Sequence, residues 1–166
     1  DTPNTVGSVV EKLIENSVTM TTISTFNNDQ VFTDLQQFHS EIKLLGVTYL
    51  TSWTAQDQSA ICKQMPEPMW EESLRRIKGF HGLICSPHDL KDIDYIDFYH
   101  DFQRVCPGIG QNKGQIRTTT PHEAFQLGAD YIILGRLITN SPDPIQTITQ
   151  IHKEIDESQK TQTTNT

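Results

Sequence analysis

Gly128-Ala129-Asp130-Tyr131-Ile132-Ile133-Leu134-Gly135-Arg136-Leu137-Ile138-Thr139 runs a helix stop, a short apolar strand and a polar turn together without a linker. Upstream, Thr120-Pro121-His122-Glu123 has the form of a capping box with proline at the first helical position, so a short helix opens there and closes near Gly128. Residues 130–134 then read as a strand apolar along its length, which suits burial on both faces of a parallel sheet. A chain that passes from helix to buried strand and leaves through Gly-Arg is built as a repeating strand–helix unit.

The same alternation extends outward in both directions. Val6, Val9, Val10, Leu13 and Ile14 follow helical spacing over residues 5–16, with Pro3 in the turn before them. Residues 19–25 are β-branched and strand-like, and Val31, Leu35, Phe38 and Ile42 return to helical spacing over 29–42. Residues 44–50 form a second strand. Two shorter helices follow, over 56–63 and 70–78, divided by Pro66 and Pro68. Residues 82–85 are a strand, Ser86-Pro87 opens a helix, 102–106 is a strand closed by Pro107-Gly108, and 144–157 is the last long helix. The expected fold is therefore α/β, with about five parallel strands joined by right-handed crossovers. An open doubly wound sheet and an incomplete TIM (β/α)8 barrel both satisfy this. Polar or glycine-bearing turns follow the strands at Thr51-Ser52, Ser86-Pro87, Pro107-Gly108 and Gly135-Arg136, which favours the barrel, where chemistry sits on such loops. Residues 1–157 make one partial barrel, and the polar segment 158–166 is expected to be a disordered tail.

Charge and composition narrow the partners. Thirteen Lys+Arg against twenty-one Asp+Glu leaves a formal charge of −8, which argues against nucleic acid or an anionic membrane as partner. With 35% hydrophobic residues the chain lies above the range of disordered proteins, and no apolar run is long enough to span a membrane. Residue 1 is Asp and no signal-like segment follows it, so either something upstream has been removed or the reading frame begins earlier. Cys62, Cys85 and Cys106 are too scattered for a disulfide framework, which fits a reducing, cytoplasmic compartment.

Gly135-Arg136, directly after the last strand, suits a phosphate: glycine lets it approach backbone amides and arginine adds a bidentate fork. A solvated arginine after a turn glycine is the alternative. The amide- and glycine-rich loop 107–115 could bring Gln115 or Lys113 to the same anion, or be a surface loop. The six histidines show no metal-binding spacing, no nucleophile elbow is present, and Asp92, Asp94 and Asp97 read as a solvated face, so no metal is expected.

Several of these segments resemble one family. Asp1-Thr2-Pro3-Asn4-Thr5-Val6 resembles the end of the D-x-K-x-x-D-[IT]-P-N-T-V signature of orotidine 5′-phosphate decarboxylases. Residues 45–52 (Leu-Gly-Val-Thr-Tyr-Leu-Thr-Ser), residues 82–86 (Gly-Leu-Ile-Cys-Ser) and the ending from Gln115 through Gly135-Arg136 to Asp143-Pro144 resemble its later motifs, in order. The resemblance implies a TIM barrel without cofactor, working as a homodimer with shared active sites. Its substrate is the nucleotide orotidine 5′-monophosphate, converted to UMP in de novo pyrimidine synthesis. Loss of the carboxylate leaves a carbanion at pyrimidine C6, which a lysine protonates, while binding of the remote phosphate raises the rate. By the same resemblance Asp1 is the catalytic aspartate that reaches into the neighbour's site, Thr2, Pro3, Asn4 and Thr5 line the ribose and interface, and Thr51 lies near the pyrimidine. Gln115, Gly135 and Arg136 then hold the phosphate.

The chain departs from that pattern in places. The signature's lysine and first aspartate would fall before residue 1, so the 166 residues alone are expected to be inactive. Gly110 stands where the family has a phosphate-loop arginine, with Lys113 as a possible substitute; Ser24 stands at the strand-four histidine, and Asn27-Asn28 at the glycines after it. A sugar-phosphate decarboxylase of the same superfamily shares the phosphate corner but not Pro3-Asn4-Thr5. A degenerate, non-catalytic phosphate-binding barrel is the non-enzyme alternative.

Overall fold

The computed structural model describes residues 2–50, 52–62, 66–91, 93–96, 99, 101–110 and 119–163. Five strands, β1 (Met20–Ser24), β2 (Lys43–Val47), β3 (Gly82–Ile84), β4 (Gln103–Cys106) and β5 (Tyr131–Ile132), form one sheet in the order β1-β2-β3-β4-β5, every pair parallel. The helices are α1 (Pro3–Glu15), α2 (Asp29–Leu35), α3 (Ala55–Cys62), α4 (Pro66–Arg76), α5 (Pro121–Gln126), α6 (Arg136–Thr139) and α7 (Pro144–Thr163).

Both faces of the sheet are apolar. Ser24, Val47, Ile84, Val105 and Tyr131 occupy a single register row across all five strands. On this face Leu45, Ile84 and Val105 form a small cluster with Val47 against it. The opposite face carries Ile23, Leu44, Leu83, Cys85 and Cys106 into the main core, where they meet Val31, Phe32, Trp70 and Leu74 from the helices and Ile77 from the turn after α4. This division follows from the two-residue period of strands and explains why β2 and β3 are apolar throughout. Gly46 lies where β2 faces Ile77: a Cβ there would stand 2.6 Å from two atoms of that side chain.

Several boundaries differ from the sequence reading. The helix expected over 29–42 ends at Leu35 and tightens into a 3-10 turn at Gln36–Phe38, because the Gln36 N–H reaches back to Thr33 O. The two helices expected over 56–63 and 70–78 are α3 and α4, but Pro66 and Pro68 lie not between the two but in the first turn of α4, where their missing N–H groups would have no helical partner anyway. Ser86-Pro87 opens a 3-10 turn (Pro87–Leu90) rather than an α-helix. The last strand is confined to Tyr131–Ile132, and the short helix α6 follows it. The final helix runs to Thr163, so the segment from Ser158 that was expected as a tail continues it; residues 164–166 lie outside the described residues.

At the amino ends of the strands, His81 stitches three of them together. Its N–H donates to Leu44 O, its carbonyl accepts from Gln103 N–H, and its Nδ1 accepts the Leu44 N–H at 3.1 Å. The His39 ring stacks on it at 4.1 Å. Burial, with His39 and Lys43 nearby, holds the His81 pKa below its ordinary 6.5. In the unfolded chain His81 takes up a proton near pH 6.5; in the native protein it resists doing so. Stability should therefore fall as pH drops through 6.5 and level off below the native value, while Glu72, held at about 2, stays charged. Melting curves at pH 7.5 and 5.5 should differ by a few degrees in the wild type. A His81→Gln variant with the same slope would sink this assignment.

Candidate active site

The carboxyl ends of the strands form one rim, and the chain emerging from each end is pinned differently. After β1, Ser24 Oγ accepts the Phe26 N–H at 3.2 Å and Asn27 donates to Ser24 O at 2.9 Å. From outside, Arg76 Nη1 donates to Thr25 O and Asn27 O, and its Nε reaches Glu72 at 2.8 Å. After β2, Thr48 is buried, and its N–H and hydroxyl both donate to Ile84 O.

Past β3, Ser86 is fully buried. Its N–H donates to the Asp89 carboxylate at 3.2 Å, and its carbonyl accepts the Asp89 N–H at 3.0 Å. Its Oγ faces the Asp89 N–H in a capping-box arrangement but makes no hydrogen bond of good geometry among the described residues. A buried hydroxyl left unpaired is costly, so such an atom marks a place where a ligand or water belongs. The Ser-Pro pair reads in sequence as a helix start, which concealed this hydroxyl; its position at the end of an apolar strand was the available signal.

The two halves of the expected phosphate corner are adjacent. The loop after β4 is closed at its base by an Ile109–Thr119 bridge and by Gly110 N–H donating to Thr119 O at 2.8 Å. Glu123 fixes the far side, accepting from the Thr119 hydroxyl, the Thr120 hydroxyl and the Thr120 N–H, contacts that lower its pKa. Gly110 then sits directly on Leu137: a Cβ built there would lie 2.9 Å from Leu137 Cδ2. Its φ of +87° is left-handed, so an arginine at this position would carry backbone strain of about 1–2 kcal/mol. Gly135 caps α6 and places Arg136 beside that contact, with the Gly135 carbonyl accepting from Ile138 and Thr139. A cleft of about 480 Å3 opens between α5 and α7, but its walls include Gly110 and Leu137 without Arg136, and its one charged group is Glu154. It is not an anion pocket.

Among the sequence-derived site residues, Thr2 is the N-cap of α1: its Oγ1 accepts the Thr5 N–H and lies 2.7 Å from the Thr5 hydroxyl. Pro3 and Asn4 occupy the first turn of the same helix. Thr5 joins Ser24 and Asn27 in a cleft of about 250 Å3 between α1 and β1. Asp1, Thr51 and Gln115 lie outside the described residues, as does Lys113. Among the described residues no cluster of His, Cys, Asp or Glu could hold a metal ion, and no helix is long and apolar enough to cross a membrane.

A family model described as "Orotidine 5′-phosphate decarboxylase / HUMPS family" matches residues 1–151. The chain belongs to that family. A relative from Wolbachia pipientis subsp. Culex pipiens, named orotidine 5′-phosphate decarboxylase, is 33% identical over 163 residues, covering 93% of this chain and 72% of the relative. A relative of the same name from Staphylococcus saprophyticus is 32% identical over 157 residues, covering 87% and 68%. The crystal structure of orotidine 5′-phosphate decarboxylase from Lactobacillus acidophilus superposes with a TM-score of 0.72 at 30% identity, covering 93% of this chain and 71% of that one. The family's fold makes the five strands part of a TIM barrel, as expected. The relatives' names favour the nucleotide decarboxylases over the sugar-phosphate alternative.

Proposed function

We propose that the protein acts in the decarboxylation of orotidine 5′-monophosphate to UMP, within pyrimidine biosynthesis, at the carboxyl rim of its sheet. The observation that carries this is the packing of Gly110 on Leu137, which sets the loop after β4 against the Gly135-Arg136 turn, as one phosphate shared by both would require. In this reading Arg136 and the amides around Gly135 grip the phosphate, together with Gln115. The phosphate is remote from the reacting carbon, so its binding energy can be spent on the transition state. Ser86 Oγ, able to donate and accept, meets the edge of the pyrimidine, as does Thr51. Thr2, Pro3, Asn4 and Thr5 border the ribose, and Asp1 serves a neighbouring subunit's site in a homodimer. The proton delivered to C6 comes from the lysine of the family signature, which has no match within these residues.

Calorimetric titration of the 166-residue polypeptide tests the reading. UMP should bind more tightly than ribose 5-phosphate or a pentitol phosphate, and orotidine 5′-monophosphate should bind without turnover above an empty-vector preparation. Equal affinity for UMP and the sugar phosphates would favour the degenerate phosphate-binding barrel. Measurable decarboxylation would refute the assignment of proton transfer to that lysine.

A further inference from the structure

We infer that Thr48 is a positioning residue for base recognition, seating the end of β3 so that the Ser86 hydroxyl meets the pyrimidine. The inference rests on the nucleotide reading above. The ladder between β2 and β3 ends at the pair Val47–Ile84. One residue later Thr48 is 2% exposed and brings two donors to the single carbonyl of Ile84, the N–H at 3.1 Å and the hydroxyl at 2.9 Å. The N–H alone would continue the sheet. The hydroxyl is a second hold on the peptide leaving it, and a buried hydroxyl needs such a partner.

Two residues beyond that carbonyl, the backbone of Ser86 is held on its other side. Its N–H and C=O are both engaged by Asp89, itself 4% exposed. Thr48 upstream and Asp89 downstream thus clamp a residue whose Oγ, beside the Asp89 N–H in a capping-box arrangement, makes no well-formed hydrogen bond among the described residues. A hydroxyl that must meet a flat ring edge gains from this, because hydrogen bonds weaken steeply with misalignment. Thr48 touches no substrate in this arrangement; it acts through Ile84 and Ser86.

The test compares Thr48→Val, which keeps the shape and removes the donor, with Thr48→Ser, which keeps the donor. In the 166-residue chain Thr48→Val should weaken UMP roughly ten-fold, the loss of one well-placed hydrogen bond, and leave ribose 5-phosphate unchanged. Thr48→Ser should bind both ligands as the wild type does. Equal weakening of the two ligands, or a serine variant as poor as the valine one, overturns the inference. Hydrogen exchange of the ligand-free protein decides it independently: the Ser86 amide should exchange faster in Thr48→Val and at the wild-type rate in Thr48→Ser. Unchanged exchange in Thr48→Val overturns the inference even where UMP binds. A wild type that does not distinguish UMP from ribose 5-phosphate counts against the base-binding reading, and the exchange result then judges Thr48 alone.

Discussion

Gly82→Ala should cost about 3 kcal/mol or more and leave much of the chain unfolded, since overpacking against rigid surroundings lies at the upper end of its usual range. Gly82 is buried in β3, paired with Leu45 on one side and Gln103 on the other. A Cβ there would collide with the backbone carbonyl oxygen of Gln103, with Leu45 Cδ2 at 2.9 Å and Gln103 Cβ at 3.0 Å beyond it. The carbonyl belongs to the strand next door, so relief means prising β4 from β3. Gly46→Ala offers an instructive comparison: the atoms nearest its Cβ all belong to the buried Ile77 side chain, which must repack as a whole, but none is backbone of a neighbouring strand, so the cost is lower. At Gly7, within α1, a Cβ meets nothing within 4 Å, and alanine there should stabilise by roughly 0.5–1 kcal/mol. Urea midpoints of the three variants check the ranking; a Gly82→Ala midpoint equal to that of Gly46→Ala would contradict it.

Arg136→Ala should weaken UMP and ribose 5-phosphate alike, by about 1.5–3 kcal/mol, the range for a hydrogen bond to a charged group. Arg136→Lys keeps the charge but loses the planar fork, so it should recover part of that affinity and become more sensitive to salt. Uridine, lacking the phosphate, should bind each variant as it binds the wild type. The formal charge of −8 sharpens the contrast: on an acidic surface, general attraction for anions cannot replace a positioned guanidinium. Titrations of the three ligands distinguish the outcomes, and a uridine loss as large as that for UMP would show that Arg136 does not act on the phosphate.

Much of the fold was legible because strands and helices differ in period. The alternating apolar runs at Leu44-Leu45, Leu83-Ile84 and Val105-Cys106 named their own sheet, and all three fall in it. Boundaries were less legible where tertiary contacts decide them. Thr48, Tyr49 and Leu50 continue the apolar run of β2 yet lie beyond its last ladder pair, Val47–Ile84. Pro66 and Pro68 carry the same local signal whether they break a helix or begin one. The site divides similarly. Gly135 and Arg136 were visible as a turn after an apolar strand, and the family motifs drew attention to Thr2 through Thr5. Ser86 was visible only as a turn after an apolar strand and as the end of a family motif; the burial of its Oγ without a well-formed hydrogen bond is a three-dimensional fact that no residue pattern encodes. Gly110 was noticed as a lost cation; its left-handed backbone and its seat on Leu137 emerged only in three dimensions.

Because β1 to β5 sit side by side in the order in which they are translated, every new strand finds its neighbour already made. A ribosome releasing this polypeptide can let each unit dock as it emerges, with no wait for a distant segment. Growth by accretion keeps loop closures short, and the proposed phosphate corner, built after β4 and β5, assembles later than the rim residues that follow β1 to β3.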